Sequence, residues 1–141
     1  MPRAFELSII ADLDKLGEVR SFIKRAGTAL GAPEDVVGDL CLAVDEAVTN
    51  IVLHGYGGAG GPVELRVDRD GDDLVVLLRD RAAAFDGHGV PAPKLDESLS
   101  ERKFGGMGVY LIRQLTDRSE FQPRAGGGNE LRLVKRLGLT T

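Results

Sequence analysis

The sequence predicts an α+β fold with a largely antiparallel sheet and helices packed on one face, and three observations predict it. Strand-like and helix-like segments follow in the order β-α-α-β-β-loop-α-β-β, which favours such a layered arrangement. Two pairs of strand-like segments are joined by short glycine-bearing turns, at Asp70-Gly71 and at Gly126-Gly127-Gly128, and read as hairpins. The chain has 141 residues, 43% hydrophobic and 28% charged, which suits one domain with its own core spanning residues 1–141.

Taken in order, residues 4–10 alternate apolar and polar and predict a first strand. Leu16, Val19, Phe22, Ile23, Ala26 and Leu30 then recur at helical spacing, with Asp12 and Asp14 as possible caps and Gly31 as a stop. Pro33 suits the first turn of a second helix, where Glu34 and Asp35 complement the positive end of the dipole. That helix is expected to run to about His54. Residues 55–62 hold five glycines and predict a loop. Strands are expected over 63–68 and 74–80. Residues 81–104 have no clean period and are too long for an ordinary connection, so a mobile lid is expected over 81–105. A third helix is predicted from Gly108 to about Asp117, and a closing hairpin over 118–122 and 130–137.

Bulk properties narrow the function classes. The net charge is −4, with Lys and Arg scattered rather than gathered in a stripe, which argues against direct nucleic-acid binding. Cys41 is the only cysteine, so no intrachain disulfide or thiolate zinc site can be built. The start of the chain has no long apolar run, so no signal peptide or membrane helix is expected and the cytoplasm is the expected compartment.

The most informative residues are Glu46 and Asn50. One helical turn apart, they put a carboxylate and a carboxamide on the same side, able to take a proton and to hold a hard cation such as Mg²⁺. The bland alternative is that Asp45, Glu46, Thr49 and Asn50 are the solvated stripe of an amphipathic helix. In the stretch from Arg102 to Gly108, Arg102 and Lys103 precede Gly105, Gly106, Met107 and Gly108 at a helix start. Unpaired N–H groups there accept phosphate, although the same pattern also makes a plain tight turn. Asp80 closes an apolar strand and either ends it as a turn residue or receives a donor from a ligand. His54 is expected to favour the negative end of its helix. No Gly-x-Ser-x-Gly elbow is present, which argues against a covalent hydrolase.

Residues 42–56 (LAVDEAVTNIVLHGY), 105–117 (GGMGVYLIRQLTD) and 127–133 (GGNELRL), in this order and spacing, resemble the ATP-binding fold of gyrase-type ATPases and histidine kinases. The likeness is greatest to its stand-alone branch, the anti-sigma-factor serine/threonine kinases. The resemblance implies a two-layer α/β sandwich of the GHKL, or Bergerat, type with a mixed, mostly antiparallel sheet. It further implies that Asn50 holds Mg²⁺ on the ATP phosphates, that Glu46 is the general base and that Asp80 accepts the adenine amino group. Gly105, Gly106, Met107 and Gly108 would line the phosphates, with Arg102 or Lys103 as partners of the γ-phosphate. The implied partners are a STAS-type anti-sigma-factor antagonist, phosphorylated on a serine or threonine, a sigma factor, and a second copy in a homodimer.

One position departs from the pattern. The first glycine box reads DRAAAFD over 80–86, with Ala82 where the family has glycine. Were that position to need a positive φ, the methyl would cost on the order of 1 kcal/mol. Ala82 thus favours a second reading, a non-catalytic module that sequesters a partner with weak or no ATP use, whereas Glu46 and Asn50 oppose it.

Overall fold

The computed structural model describes residues 4–82 and 106–138, with Gly106 and Met107 described by their backbone alone. Five strands, β1 (Phe5–Ala11), β2 (Gly61–Asp70), β3 (Asp73–Asp80), β4 (Arg118–Pro123) and β5 (Asn129–Arg136), form one sheet in the order β1-β2-β3-β5-β4. Each neighbouring pair is antiparallel, so the sheet of the described residues holds no parallel pair. Three helices, α1 (Leu16–Ala29), α2 (Glu34–Asn50) and α3 (Gly106–Leu115), complete the described elements apart from two short turns.

The alternation in the strands explains the layering. Val63, Leu65 and Val67 of β2 and Leu74, Val76 and Leu78 of β3 are buried on one face, while Glu64 and Arg66 lie exposed on the other. Against the buried face pack Val19, Phe22, Ile23 and Ala26 of α1, Leu40, Val44, Ala47 and Val48 of α2, and Ile112 of α3. Each fully buried leucine or valine contributes roughly 1.5–3 kcal/mol. This core sets α2 across the sheet between α1 and α3, which positions the site.

The boundaries differ from the sequence expectations in instructive ways. Asp12 caps a 3₁₀ turn at Leu13–Lys15, its carboxylate accepting Asp14 N–H at 2.9 Å, before α1 begins. Gly31 stops α1 with φ at 90°, and Arg69 Nη1 donates to Leu30 O at 2.8 Å beside it. Pro33 is extended and stands just outside α2 rather than in its first turn. The second helix is α-helical only to Asn50; a π turn, Ile51–Gly55, carries the chain through His54, with Tyr56 N–H donating to Ile51 O at 2.8 Å. Strand β2 opens at Gly61, two residues early, because Gly61 and Pro62 still pair with Ala11 and Ile10. The first hairpin turns on Gly71-Asp72, with Asp70 opposite Asp73 and Gly71 at φ 60°. The third helix starts at Gly106, two residues before the expected Gly108. Of the lid expected over 81–105, only Arg81 and Ala82 fall within the described residues. Strand β5 begins at Asn129, one residue early, which brings Asn129 opposite Asp80.

Candidate active site

The polar stripe of α2 is not uniformly solvated. Asp45 accepts Arg20 Nη1 of α1 at 2.9 Å, and Thr49 Oγ1 donates to Asp45 O at 2.8 Å within its own helix. Among the described residues, the side chains of Glu46 and Asn50 have no such partner. Burial raises the Glu46 carboxyl above the usual range, and the neighbouring Asp45 charge adds to it. A carboxylate so placed is a stronger proton acceptor than one in open water.

The Asn50 carboxamide lies against α3 at Gly108. A Cβ added there would fall on the carboxamide, 3.0 Å from Oδ1 and nearer still to Nδ2. Glycine at 108 is therefore what lets the start of α3 close on Asn50. The first N–H groups of α3 have no partner in their own helix, as at any helix start, so an amide oxygen and unpaired N–H groups share this corner. Gly106 and Met107 lie in the first turn; Arg102, Lys103 and Gly105 lie outside the described residues.

Asp80 forms a second wall. It is 5% exposed, and a carboxylate so buried needs donors. Oδ1 has two: Ala82 N–H at 2.9 Å and Asn129 Nδ2 at 3.0 Å. Arg124 Nη1 donates to the Asp80 backbone carbonyl at 3.0 Å. Gly128, at φ 94°, sits so close to that carbonyl that a Cβ would collide with it. Tyr56 ties the two ends together: its hydroxyl donates to Pro62 O at 2.7 Å and accepts Arg81 N–H at 2.8 Å.

Ala82 is accommodated without strain. No non-glycine residue among those described has a positive φ, and the Ala82 side chain is buried against Gly55. A Cβ on Gly55 would stand 2.8 Å from the Ala82 methyl, so the glycine of the π turn makes the room that the methyl fills. The two walls meet here, since Gly55 lies five residues beyond Asn50. His54, in the same turn, departs from expectation. Burial lowers its pKa to about 4, so it is uncharged near neutral pH and does not serve the helix end as a cation.

The residues that sequence reasoning left without a role are Arg124 and Tyr56. Their signal was weak, because each acts on Asp80 or its neighbours across strands rather than along the chain. Only the register of β3 with β5 reveals the Asp80–Asn129 pair.

The histidine kinase-like ATPase domain family matches residues 9–135. The chain belongs to this family. Within it, the chain is of the anti-sigma-factor kinase type. It is 33% identical over 130 residues to the serine-protein kinase RsbW of Bacillus velezensis, covering 86% of this chain and 79% of that protein. The RsbW of Bacillus subtilis is 32% identical with the same coverage. The anti-sigma F factor of Clostridium acetobutylicum is 23% identical over 134 residues, covering 95% of this chain and 94% of that one. A crystal structure of the RsbU and RsbW domains of a Mycobacterium tuberculosis protein superposes with a TM-score of 0.62 at 20% identity, covering 94% of this chain and 32% of that one. That likeness speaks for the fold of this histidine kinase-like ATPase domain. No helix among the described residues is long and apolar enough to cross a membrane.

Proposed function

We propose that this chain is an ATP-dependent protein serine/threonine kinase that phosphorylates a STAS-type anti-sigma-factor antagonist and binds a sigma factor. The observation that carries the proposal is the closure of α3 on Asn50 through Gly108, one helical turn from Glu46, in a chain whose relatives are named serine-protein kinases. Asn50 would hold Mg²⁺ through its amide oxygen, and the ion, when bound, neutralises charge on the ATP phosphates. The donor set fits such an ion: a hard oxygen ligand beside a phosphate-accepting helix start, with the remaining ligands from water and substrate. Asp80 would take the adenine amino group, and the backbone of Gly105, Gly106, Met107 and Gly108 would face the phosphates, with Arg102 or Lys103 against the γ-phosphate.

In this reading Glu46 orients the acceptor hydroxyl and accepts its proton. The hydroxyl oxygen bonds to the γ-phosphorus as the bond from that phosphorus to the β–γ bridging oxygen breaks, releasing ADP. The raised pKa of Glu46 suits the proton transfer, provided the pH lies above it. The same reading takes residues 1–141 as one domain, working as a cytoplasmic homodimer. Ala82, the feature that favoured a non-catalytic module, packs into space left by Gly55, which supports the catalytic reading.

The test is incubation with Mg-ATP and candidate STAS partners, followed by detection of phosphate on the partner. Transfer to serine or threonine is expected. No transfer to any cognate partner, together with ATP binding weaker than about millimolar, would sink the kinase reading.

A further inference from the structure

We propose that Leu42 and Leu53, exposed on either side of Glu46, form an apolar ridge that anchors the acceptor protein and selects acceptors whose serine or threonine hydroxyl stands between apolar side chains. The inference rests on the kinase reading above and deepens it, naming the kind of surface that the acceptor presents.

Positions 42, 46, 49 and 53 follow one another at helical spacing along the outer side of α2 and the π turn after it. Among the described residues four large apolar side chains are exposed, Ile10, Leu13, Leu42 and Leu53, and two of the four lie on this stripe. Leu42 is 47% exposed and Leu53 41%. Leu42 stands about 6 Å before Glu46 along the helix and Leu53 about 10 Å beyond it. The polar groups beside them are occupied. Asp45 accepts Arg20 Nη1 at 2.9 Å, and Thr49 gives its one hydroxyl hydrogen to Asp45 O at 2.8 Å. Between the two leucines this leaves the Glu46 carboxyl as the ionisable group free to meet a partner.

The geometry of the reaction commits the ridge to the acceptor. The hydroxyl has to come within hydrogen-bond reach of Glu46, about 3 Å. On the α3 side, Asn50 and Gly108 form the corner assigned to the phosphates, and on the α1 side the Arg20–Asp45 pair closes the stripe. The protein that carries the hydroxyl therefore approaches over the outer side of α2 and covers residues one turn before and two turns after Glu46. A charged surface laid there would lose water without gaining partners, whereas apolar side chains gain by burial against the leucines. Apolar contact on both sides of the base also keeps water from competing with the hydroxyl for the phosphoryl group.

The experiment measures steady-state phosphorylation of the STAS-type antagonist that accepts phosphate from the unaltered chain, at saturating Mg-ATP. Leu42→Gln and Leu53→Gln, which keep a good helix former at exposed positions, are each expected to raise KM for the acceptor about three- to tenfold, and together by at least about tenfold. The value of kcat is expected to stay within about twofold, because the base and the nucleotide are untouched, and Mg-ATP affinity by calorimetry to stay the same. Leu42→Met and Leu53→Met, of similar volume and still apolar, are expected to retain the KM of the unaltered chain. Ile10→Thr serves as the comparison, since Ile10 is 66% exposed on the sheet face opposite the helices. An unchanged KM in the double glutamine variant would overturn the proposal, even if sigma-factor binding or the oligomeric state changed. So would a loss confined to kcat, a KM raised as much by Ile10→Thr, or methionine variants as weak as the glutamine ones. An unaltered chain that phosphorylates no acceptor would instead remove the kinase reading itself, and the ridge with it.

Discussion

A methyl group at position 108 would occupy space that the Asn50 carboxamide now fills, so the smallest substitution there tests the site most directly. Alanine favours a helix over glycine by about 1 kcal/mol, so Gly108→Ala is expected to leave thermal stability nearly unchanged or raised. Mg-ATP affinity by calorimetry is expected to fall at least about tenfold, because Asn50 must turn away. Unchanged affinity would mean that Asn50 plays no part in binding. Glu46→Gln is expected to keep Mg-ATP binding and cut phosphoryl transfer by roughly 10²–10⁴-fold, measured by phosphate incorporation into the antagonist. It also carries a pH signature. The folded pKa of Glu46 is raised above its ordinary 4.5, so the fold prefers the protonated form and loses stability as pH rises through that window. Glu46→Gln should therefore unfold at a higher temperature than wild type at neutral pH, with the difference vanishing below about pH 4. Glu46 and Asn50 were legible from their spacing in a helical run. What divided them from Asp45 and Thr49 was not, because that division depends on Arg20 of another helix.

The decisive element is the π turn after α2. The sequence reads as one helix to His54, since hydrophobic periodicity does not distinguish an α turn from a π turn when the apolar residues still face the core. The turn brings Gly55 under Ala82, and this contact joins the two walls. Gly55→Ala would set two methyl carbons about 2.8 Å apart and is expected to destabilise the fold by about 1–3 kcal/mol in urea unfolding. Adding Ala82→Gly should restore part of the loss, with a coupling on the order of 1 kcal/mol; strict additivity would show that the contact is not energetic. The same turn holds His54, whose pKa falls from 6.5 to about 4 on burial. The stability contributed by keeping it neutral is complete above pH 6.5 and is lost as pH falls toward 4, as the unfolded chain takes up the proton. Replacing His54 with glutamine should flatten the fall in unfolding free energy between those limits, read from denaturant midpoints.

At the scale of the molecule, one sheet face carries the core and its strand ends carry the site. Leu78, 1% exposed in β3, is two residues from Asp80, so core and site share a strand. Leu78→Ala is expected to cost about 2–5 kcal/mol. By contrast, Arg20→Ala breaks a largely exposed ion pair and should cost under about 1 kcal/mol, both measured by denaturant unfolding. A comparable loss from the two would contradict the layering described for the core.

The elements, the hairpins, the antiparallel sheet and the pairing of Glu46 with Asn50 are legible in the chain alone, because they depend on periodicity, turn chemistry and spacing within a few residues. What holds Asp80, what makes room for Ala82 and why position 108 carries glycine emerge from the packed fold. Those contacts join positions 49, 27 and 58 residues apart, Asn129 with Asp80, Ala82 with Gly55 and Gly108 with Asn50. Side chains so distant meet through strand register and helix packing, which the whole core sets at once and no local pattern records.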